Sequence, residues 1–286
     1  MDFSRIDYLF NASELDSARV VVVGLGSGGA VVVDHLAMNG VRLWDLFDPD
    51  NYEEVNLVKH PRMRRDISRP KVEVQRDWLI DRNPRAEVRT YRADVLGLPS
   101  FEGAVRGASL VLSCTDNQPA RDYVNDVCVR QRVPSVTASV FRRGIGGEVF
   151  LYSPGETGCY RCLQLYSLLN GLNLSDSDLG LTGDEEERIY GWGEKDYKAS
   201  GLSIDIQMIA LIQARLALGE LLRGQKTQLP KMRANWIVFG NRPFPSVFSR
   251  HYECKSLRLR PQRSCGCSMA NSLANNPNPN VAEAKE

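Results

Sequence analysis

The sequence has almost no excess of charge. Its 286 residues carry 36 Lys and Arg against 35 Asp and Glu, a formal net of +1. Bulk electrostatics therefore points to neither a nucleic acid nor a membrane surface as a partner. A long apolar run is also missing. The most apolar long stretch, Ile204 to Leu222, is broken by Asp205, Gln207, Gln213, Arg215 and Glu220, which argues against a membrane span. The opening MDFSRIDYLF has no basic segment followed by an apolar one, so no secretory signal is expected. An even cysteine count is absent as well. Seven cysteines suit a reducing cytoplasm better than a disulfide framework, and none falls between Cys162 and Cys254. There are no internal repeats.

What is present reads as one large α/β domain. Arg19 to Val23 is a short β-branched run, suited to a buried parallel strand. A glycine loop follows, then a helix from Ala30 to Met38 that Asn39-Gly40 stops. VRLWDLFD is a second strand ending at Asp48, and Pro70 to Arg82 a helix closed by Asn83-Pro84. EVRTYRADV and SLVLSC are the third and fourth strands, Pro119 to Gln131 a helix, and PSVTAS a fifth strand. This alternation predicts a Rossmann-like, doubly wound, mainly parallel sheet with ligand chemistry at the carboxyl ends of its strands. GGEVFLYS and NWIVFG come without intervening crossover units, so an antiparallel extension is expected. Ser203 to Arg223 is a helix apolar on nearly every side, destined for the core or a subunit interface. The boundaries expected are an N-terminal arm over 1–18, the main domain over 19–267 and a disordered tail over 268–286. A polar, acidic crossover loop spans 173–198.

Gly24-x-Gly26-x-x-Gly29 sits between the first strand and its helix. Gly24 suits a tight turn, Gly26 lets backbone N–H groups approach phosphate, and Gly29 allows close packing of helix on strand. The helix N-terminus adds partial positive charge, and Asp48 closes the second strand where ribose hydroxyls would need an acceptor. The loop alone leaves a nicotinamide cofactor and ATP both open. Cys159-x-x-Cys162 and Cys265-x-Cys267 are two distant thiol pairs, the pattern of a structural, saturated zinc site. Cys254 is the spare candidate ligand, while Cys114 and Cys128 read as buried small side chains.

Taken together, VGLGSGG, LFDPDNYEEVNL, RPKVE, DRNP, SCTDNQPAR and CYRC resemble the family of ThiF/MoeB-type adenylyltransferases, relatives of the ubiquitin-activating enzymes. The resemblance runs roughly from Arg5 to Cys267. It implies that Asp48 holds the ribose of ATP, that Asn56 and Lys71 contact its phosphates, and that Asp116, with Asn117 beside it, organises Mg²⁺. It also implies that Arg5 reaches into the ATP site of a partner subunit in a homodimer. One departure stands out. The family's N-L-x-R-Q segment reads here Asn56-Leu57-Val58-Lys59-His60, so Lys59 keeps the charge and loses the two-pronged donor. Either Lys59 suffices, or Arg62, Arg64 or Arg65 compensates. Asp45 and Asp50 read as structural, and neither His35 nor His251 as a base.

The implied activity is ATP-dependent adenylation of a C-terminal carboxylate, that of a ubiquitin-like or sulfur-carrier protein or else of a short peptide or small molecule. A catalytically silent scaffold is the competing class, and a nicotinamide-dependent dehydrogenase a third. The crossover loop holds no cysteine, so a thioester there is excluded.

Overall fold

A computed structural model describes residues 1–141, 144–170, 201–244 and 247–268. The crossover expected over 173–198 and, apart from Ser268, the tail expected over 268–286 lie outside these residues.

Eight strands form one sheet in the order β3-β2-β1-β4-β5-β6-β7-β8. Strands β1 (Arg19–Val23), β2 (Leu43–Phe47), β3 (Glu87–Tyr91), β4 (Leu110–Ser113) and β5 (Ser135–Phe141) run parallel. Strands β6 (Gly146–Tyr152), β7 (Trp236–Gly240) and β8 (Glu253–Leu257) continue the sheet antiparallel. The expected mainly parallel sheet with an antiparallel extension is therefore what the chain forms.

The two-residue period of a strand decides which helices lie on which face. Val20 and Val22 of β1 join the layer built by α1 (Gly29–Met38), α2 (Lys71–Arg82) and α6 (Ser203–Leu221). Val21 and Val23 join the opposite layer, built by α3 (Pro99–Arg106), α4 (Gln118–Gln131) and α5 (Tyr160–Leu169). Both faces of β1 are covered, which is why that strand is almost uninterrupted valine. Helix α6 packs on α1, β4, β5 and β6 through Ile209, Ala210, Leu216 and Ala217. Phe10, Ala12, Leu15 and Ala18, within the segment read as an arm, also pack into this layer.

Three elements left no clear mark in the sequence. Helix α3 has eight residues, too few for a firm period, and α5 begins inside the CYRC stretch that reads first as metal ligands. Strand β8, ECKSL, is exposed along most of its length and has no apolar alternation. Its pairing with β7, Trp236 opposite Leu257 and Gly240 opposite Glu253, defines it. No helix among the described residues is long and apolar enough to cross a membrane.

Candidate active site

The strand order reverses between β1 and β4, since β1 leads outward to β2 and β4 leads the other way to β5. Such a switch point opens a crevice beyond the carboxyl ends of the two strands. Here it is a cleft of about 720 Å³, within the roughly 300–1,000 Å³ of small-molecule sites.

The glycine loop is fixed by close packing. Gly24 has φ +90°, and a Cβ there would lie 2.7 Å from the carbonyl oxygen of Cys114, at the end of β4. A Cβ on Gly29 would lie 2.1 Å from the carbonyl oxygen of Gly24. These two glycines let the β1 and β4 loops and the first turn of α1 close on one another. Gly26 differs, for a Cβ there would meet nothing within 4 Å. Helix α1 has no side-chain cap, so no side chain of its own occupies the partial positive charge of its N-terminus.

Asp48 is buried at the end of β2. Its Oδ2 accepts from the Leu25 N–H at 2.6 Å and its Oδ1 from the Asp50 N–H at 2.9 Å, tying β2 to the glycine loop. Burial raises its carboxyl above the ordinary value, against the pull of Lys71 and the two N–H donors. Lys71 opens α2, where the helix dipole disfavours a cation. Two carboxylates hold it there: Asp50 at 2.7 Å and Asp48 at 3.9 Å. Asn56 accepts from the Glu53 N–H at 3.0 Å in a capping box, which sets the turn that carries Lys59 and His60 into the cleft wall. Burial first, then Lys71, Lys59 and Arg62, lowers the His60 imidazole to about 4.

From the far side, the β4 loop brings Asp116 and Asn117 to the same cleft. The Asp116 carboxylate is exposed there. Asn117 caps α4, its Oδ1 accepting from the Ala120 N–H at 2.8 Å. That bond fixes the start of α4, and Asn117 still lines the cleft. Arg5 is exposed in the N-terminal segment and does not line the cleft of its own chain. Arg62, a candidate to compensate for Lys59, is buried instead. Its guanidinium donates to both oxygens of Asp34, at 2.9 and 2.7 Å, and to Gln75. Arg64 is exposed and pairs with Glu54 at 2.9 Å. Neither Arg62 nor Arg64 lines the cleft, and neither does Arg65; Lys59 does.

Three residues escaped the sequence reading. Gln213 of α6 donates to the carbonyls of Ser113, at 3.3 Å, and Val136, at 2.9 Å, and so ties the end of β4 to the first residues of β5 beside the cleft. A glutamine inside an apolar helix was its signal. Cys114 lines the cleft but is no nucleophile: burial pushes its thiol up to about 12, with only a long contact to Gln213 opposing. His60 is the third residue whose part emerges only in the structure, as a neutral ring against Tyr52.

The four cysteines meet at the other end of the sheet. The Sγ atoms of Cys159, Cys162, Cys265 and Cys267 all lie within 4.8 Å of one another, with the 159–265 and 162–267 pairs each at 3.5 Å. Tetrahedral Zn²⁺ with Zn–S bonds of about 2.3 Å separates its sulfurs by roughly 3.8 Å, so this cluster fits the ion. The Gln262 N–H adds a bond to the Cys162 sulfur at 3.3 Å. Cys254 lies exposed on β8, outside the cluster.

With this geometry in hand, comparison with known proteins is direct. A model of the ThiF family matches residues 4–255. The sulfur carrier protein ThiS adenylyltransferase of Escherichia coli is 36% identical over 151 residues, covering 52% of this chain and 59% of that protein. Ubiquitin-like modifier-activating enzyme 5 of Caenorhabditis briggsae is 29% identical over 173 residues, 57% of this chain and 40% of that one. These matches thus span less than two thirds of the relatives' own lengths. Among solved structures, E. coli MccB with ATP aligns with a TM-score of 0.64 at 20% identity, over 89% of this chain and 67% of that chain. MccB with MccA-N7isoASN aligns with a TM-score of 0.67 at 21% identity, over 90% and 68%.

Proposed function

The chain belongs to the ThiF family, and from that premise we propose that it adenylates a terminal carboxylate with ATP, the substrate being the C-terminus of a ubiquitin-like or sulfur-carrier protein. One observation carries the reading: the glycine loop, Asp48, Asn56, Lys59, Lys71 and Asp116, drawn from separate stretches of sequence, line a single cleft at the switch point.

In this mechanism Asp48 accepts from the ribose hydroxyls with the lone pairs that its two backbone donors leave over. The uncapped first turn of α1 receives phosphate oxygens beside Gly26, where no side chain intrudes. Lys71 turns from Asp50 to the triphosphate, and Lys59 adds a second positive charge. The substrate carboxylate is already ionised at neutral pH, so no general base is needed. Its oxygen forms a bond to the α-phosphorus as the bond to the bridging oxygen breaks, and the electron pair leaves with pyrophosphate. The protein's task is alignment and the offset of repulsion between two anions. Mg²⁺, held by Asp116, would supply further positive charge at the phosphates.

The cysteine cluster has four thiols for four tetrahedral positions, so bound Zn²⁺ would be structural. The described cysteines offer no activated thiol at the cleft, and the 173–198 segment contains none. The acyl-adenylate would therefore pass to another protein or nucleophile without a thioester on this chain. We assign the protein to a reducing cytoplasm and to a homodimer in which Arg5 serves the partner's cleft. A short peptide or small-molecule carboxylate is the second substrate class. The Lys59 departure keeps a silent scaffold as the rival role.

ATP–pyrophosphate exchange with a carrier ending in Gly-Gly tests the proposal. Exchange that disappears in Asp116→Ala and Lys71→Ala supports it. ATP binding without exchange favours the scaffold, and displacement of ATP by NADH overturns the reading altogether. A reducible acyl link on any cysteine, seen by mass spectrometry after turnover, would overturn the thioester-free route.

A further inference from the structure

The near-neutral total hides a polarised chain. Residues 223–268 contain ten Lys and Arg and one acid, Glu253, which leaves the rest of the chain net negative. All ten cations are exposed. Three have carboxylates nearby: Arg223 pairs with Glu220 and Glu156, Arg258 lies 4.0 Å from Glu156, and Lys255 lies 3.5 Å from Glu253. Lys226, Lys231 and Arg233 before β7, like Arg242 and Arg250 between β7 and β8, form no ion pair among the described residues. The same holds for Arg260 and Arg263 after β8.

Several of these cations border β8, whose outer edge is unpaired among the described residues. β8 is hydrogen-bonded to β7 on one side and is the last strand of the sheet. A lysine on an edge strand is a common guard against stray pairing, and Lys255 can act so. That accounts for one cation; Lys231, Arg233, Arg258, Arg260, Arg242 and Arg250 flank the two ends of the paired strands. Antiparallel pairing puts Lys231 and Arg233 at the same end as Arg258 and Arg260, and Arg242 at the same end as Arg250. The second end adjoins the cleft. Asn241, next to Arg242, donates to the Gly144 carbonyl at 3.2 Å, and Gly144 lines the cleft wall.

We infer that the β8 edge and its basic rim are the docking surface for an acidic, β-structured carrier protein, which lays a strand beside β8 and sends its C-terminal tail past Arg242 into the cleft. The destination of the tail rests on the adenylation reading; the surface itself rests on charge and on the open edge. A nucleic acid would satisfy the charges, but it cannot pair with a row of backbone N–H and C=O groups. Unpaired exposed cations steer an acidic partner over about a Debye length, roughly 8 Å at physiological salt, and act mainly on association rate.

The test uses the full chain, a fluorescently labelled ubiquitin-like carrier of net negative charge ending in Gly-Gly, and a single-stranded RNA of about 20 nucleotides as rival probe. Two charge-reversed variants, Lys231→Glu/Arg233→Glu and Arg242→Glu/Arg250→Glu, leave the cleft residues intact, and melting curves check their folding. In each, the carrier's association rate should fall about tenfold and its KM rise to match, with kcat and the KM for ATP unchanged. Added salt should slow the native protein steeply and the variants little. Carrier binding that ignores both substitutions, or is absent from the native protein, overturns the surface; so does RNA that displaces the carrier. Charge-dependent carrier binding without pyrophosphate exchange leaves the surface standing and removes the adenylation reading. Exchange with charge-insensitive binding does the reverse.

Discussion

The parallel half of the sheet and its antiparallel extension use the same strands for different ends. Strands β1 to β4 are short, and at their carboxyl ends the first turn of α1 is left without a side-chain partner while Gly26 faces open space. The extension is tied together internally. All seven residues of β6 are buried, Trp236 donates to Glu148 at 2.8 Å across β6 and β7, and four thiols tie the start of α5 to the segment beyond β8. Apolar burial builds most of the frame, and the residues with chemistry to offer collect where the strand order reverses. The division assigns chemistry to one half, and cohesion and docking to the other, and it can be broken by variants that move the wrong property.

The largest effect belongs to the cysteine cluster. Metal-linked segments depend on the metal for their folding. Cys162→Ser, or a strong chelator, should therefore lower the melting temperature by roughly 10 °C or more. Hydrogen exchange should quicken first in β6, β7 and β8, while β1 and β4 amides stay protected. Uniform loss of protection across all eight strands would show that the halves unfold as one and that the contrast is only chemical.

Next comes Asp116→Ala. The side chain is exposed at the cleft, so melting should move little, whereas pyrophosphate exchange should fall by about 10²–10³, the usual cost of removing one preorganised electrostatic group. Lys71→Gln should cost a similar factor, with some added instability because Asp48 and Asp50 would lose their shared cation. Exchange that survives in Asp116→Ala would move the metal-holding role elsewhere.

How much of this could be read beforehand depends on what each residue answers to. The β1 run, the glycine loop and Asp48 obey local rules, and the structure has them where strand period and turn chemistry put them. The cysteines were legible because four thiols in two pairs have few other uses. Arg62 was not. Beside Lys59 in sequence, it reads as a phosphate-facing cation, but its fate was decided by Asp34 on α1 and Gln75 on α2, and no spacing reports that meeting. Asn117 lines the cleft as expected, but its part as the cap of α4 went unread. Strand β8 was silent because an exposed edge needs no apolar alternation; only its register with β7 makes it a strand. The charge of residues 223–268 stood in plain view and was masked by the sum over the whole chain.

A smaller effect sits at Lys59. Because Arg62 is committed to Asp34, Lys59→Arg should restore two-pronged phosphate contact and raise exchange by up to about tenfold, mainly through kcat. No gain, or a loss, would mean that the cleft wall has adapted to the compact ammonium.

The least effect is thermal and lies beside the chemistry, at His60. Its imidazole titrates near 4 in the folded protein, against about 6.5 when exposed. As pH falls from 6.5, the unfolded chain takes the proton first, so stability drains away between about 6.5 and 4 and then levels. Below that window no further loss comes from this residue. Partial solvent screening limits the total to about 1–2 kcal/mol, or a few degrees in melting temperature. Asp48 pulls the other way, since a carboxyl raised by burial favours the folded state as it protonates. The two can be separated only by difference. His60→Gln removes the imidazole and leaves Asp48 in place, so its melting temperature should drop less than the native protein's between pH 7 and pH 5. Equal slopes would mean that His60 takes its proton alike in the folded and unfolded chain, and a native drop smaller than the variant's would mean that the fold holds His60 charged. In that case Lys59, Lys71 and His60 would form a triple cation at the cleft wall, and the parallel half would hold more positive charge for a triphosphate than a neutral ring allows.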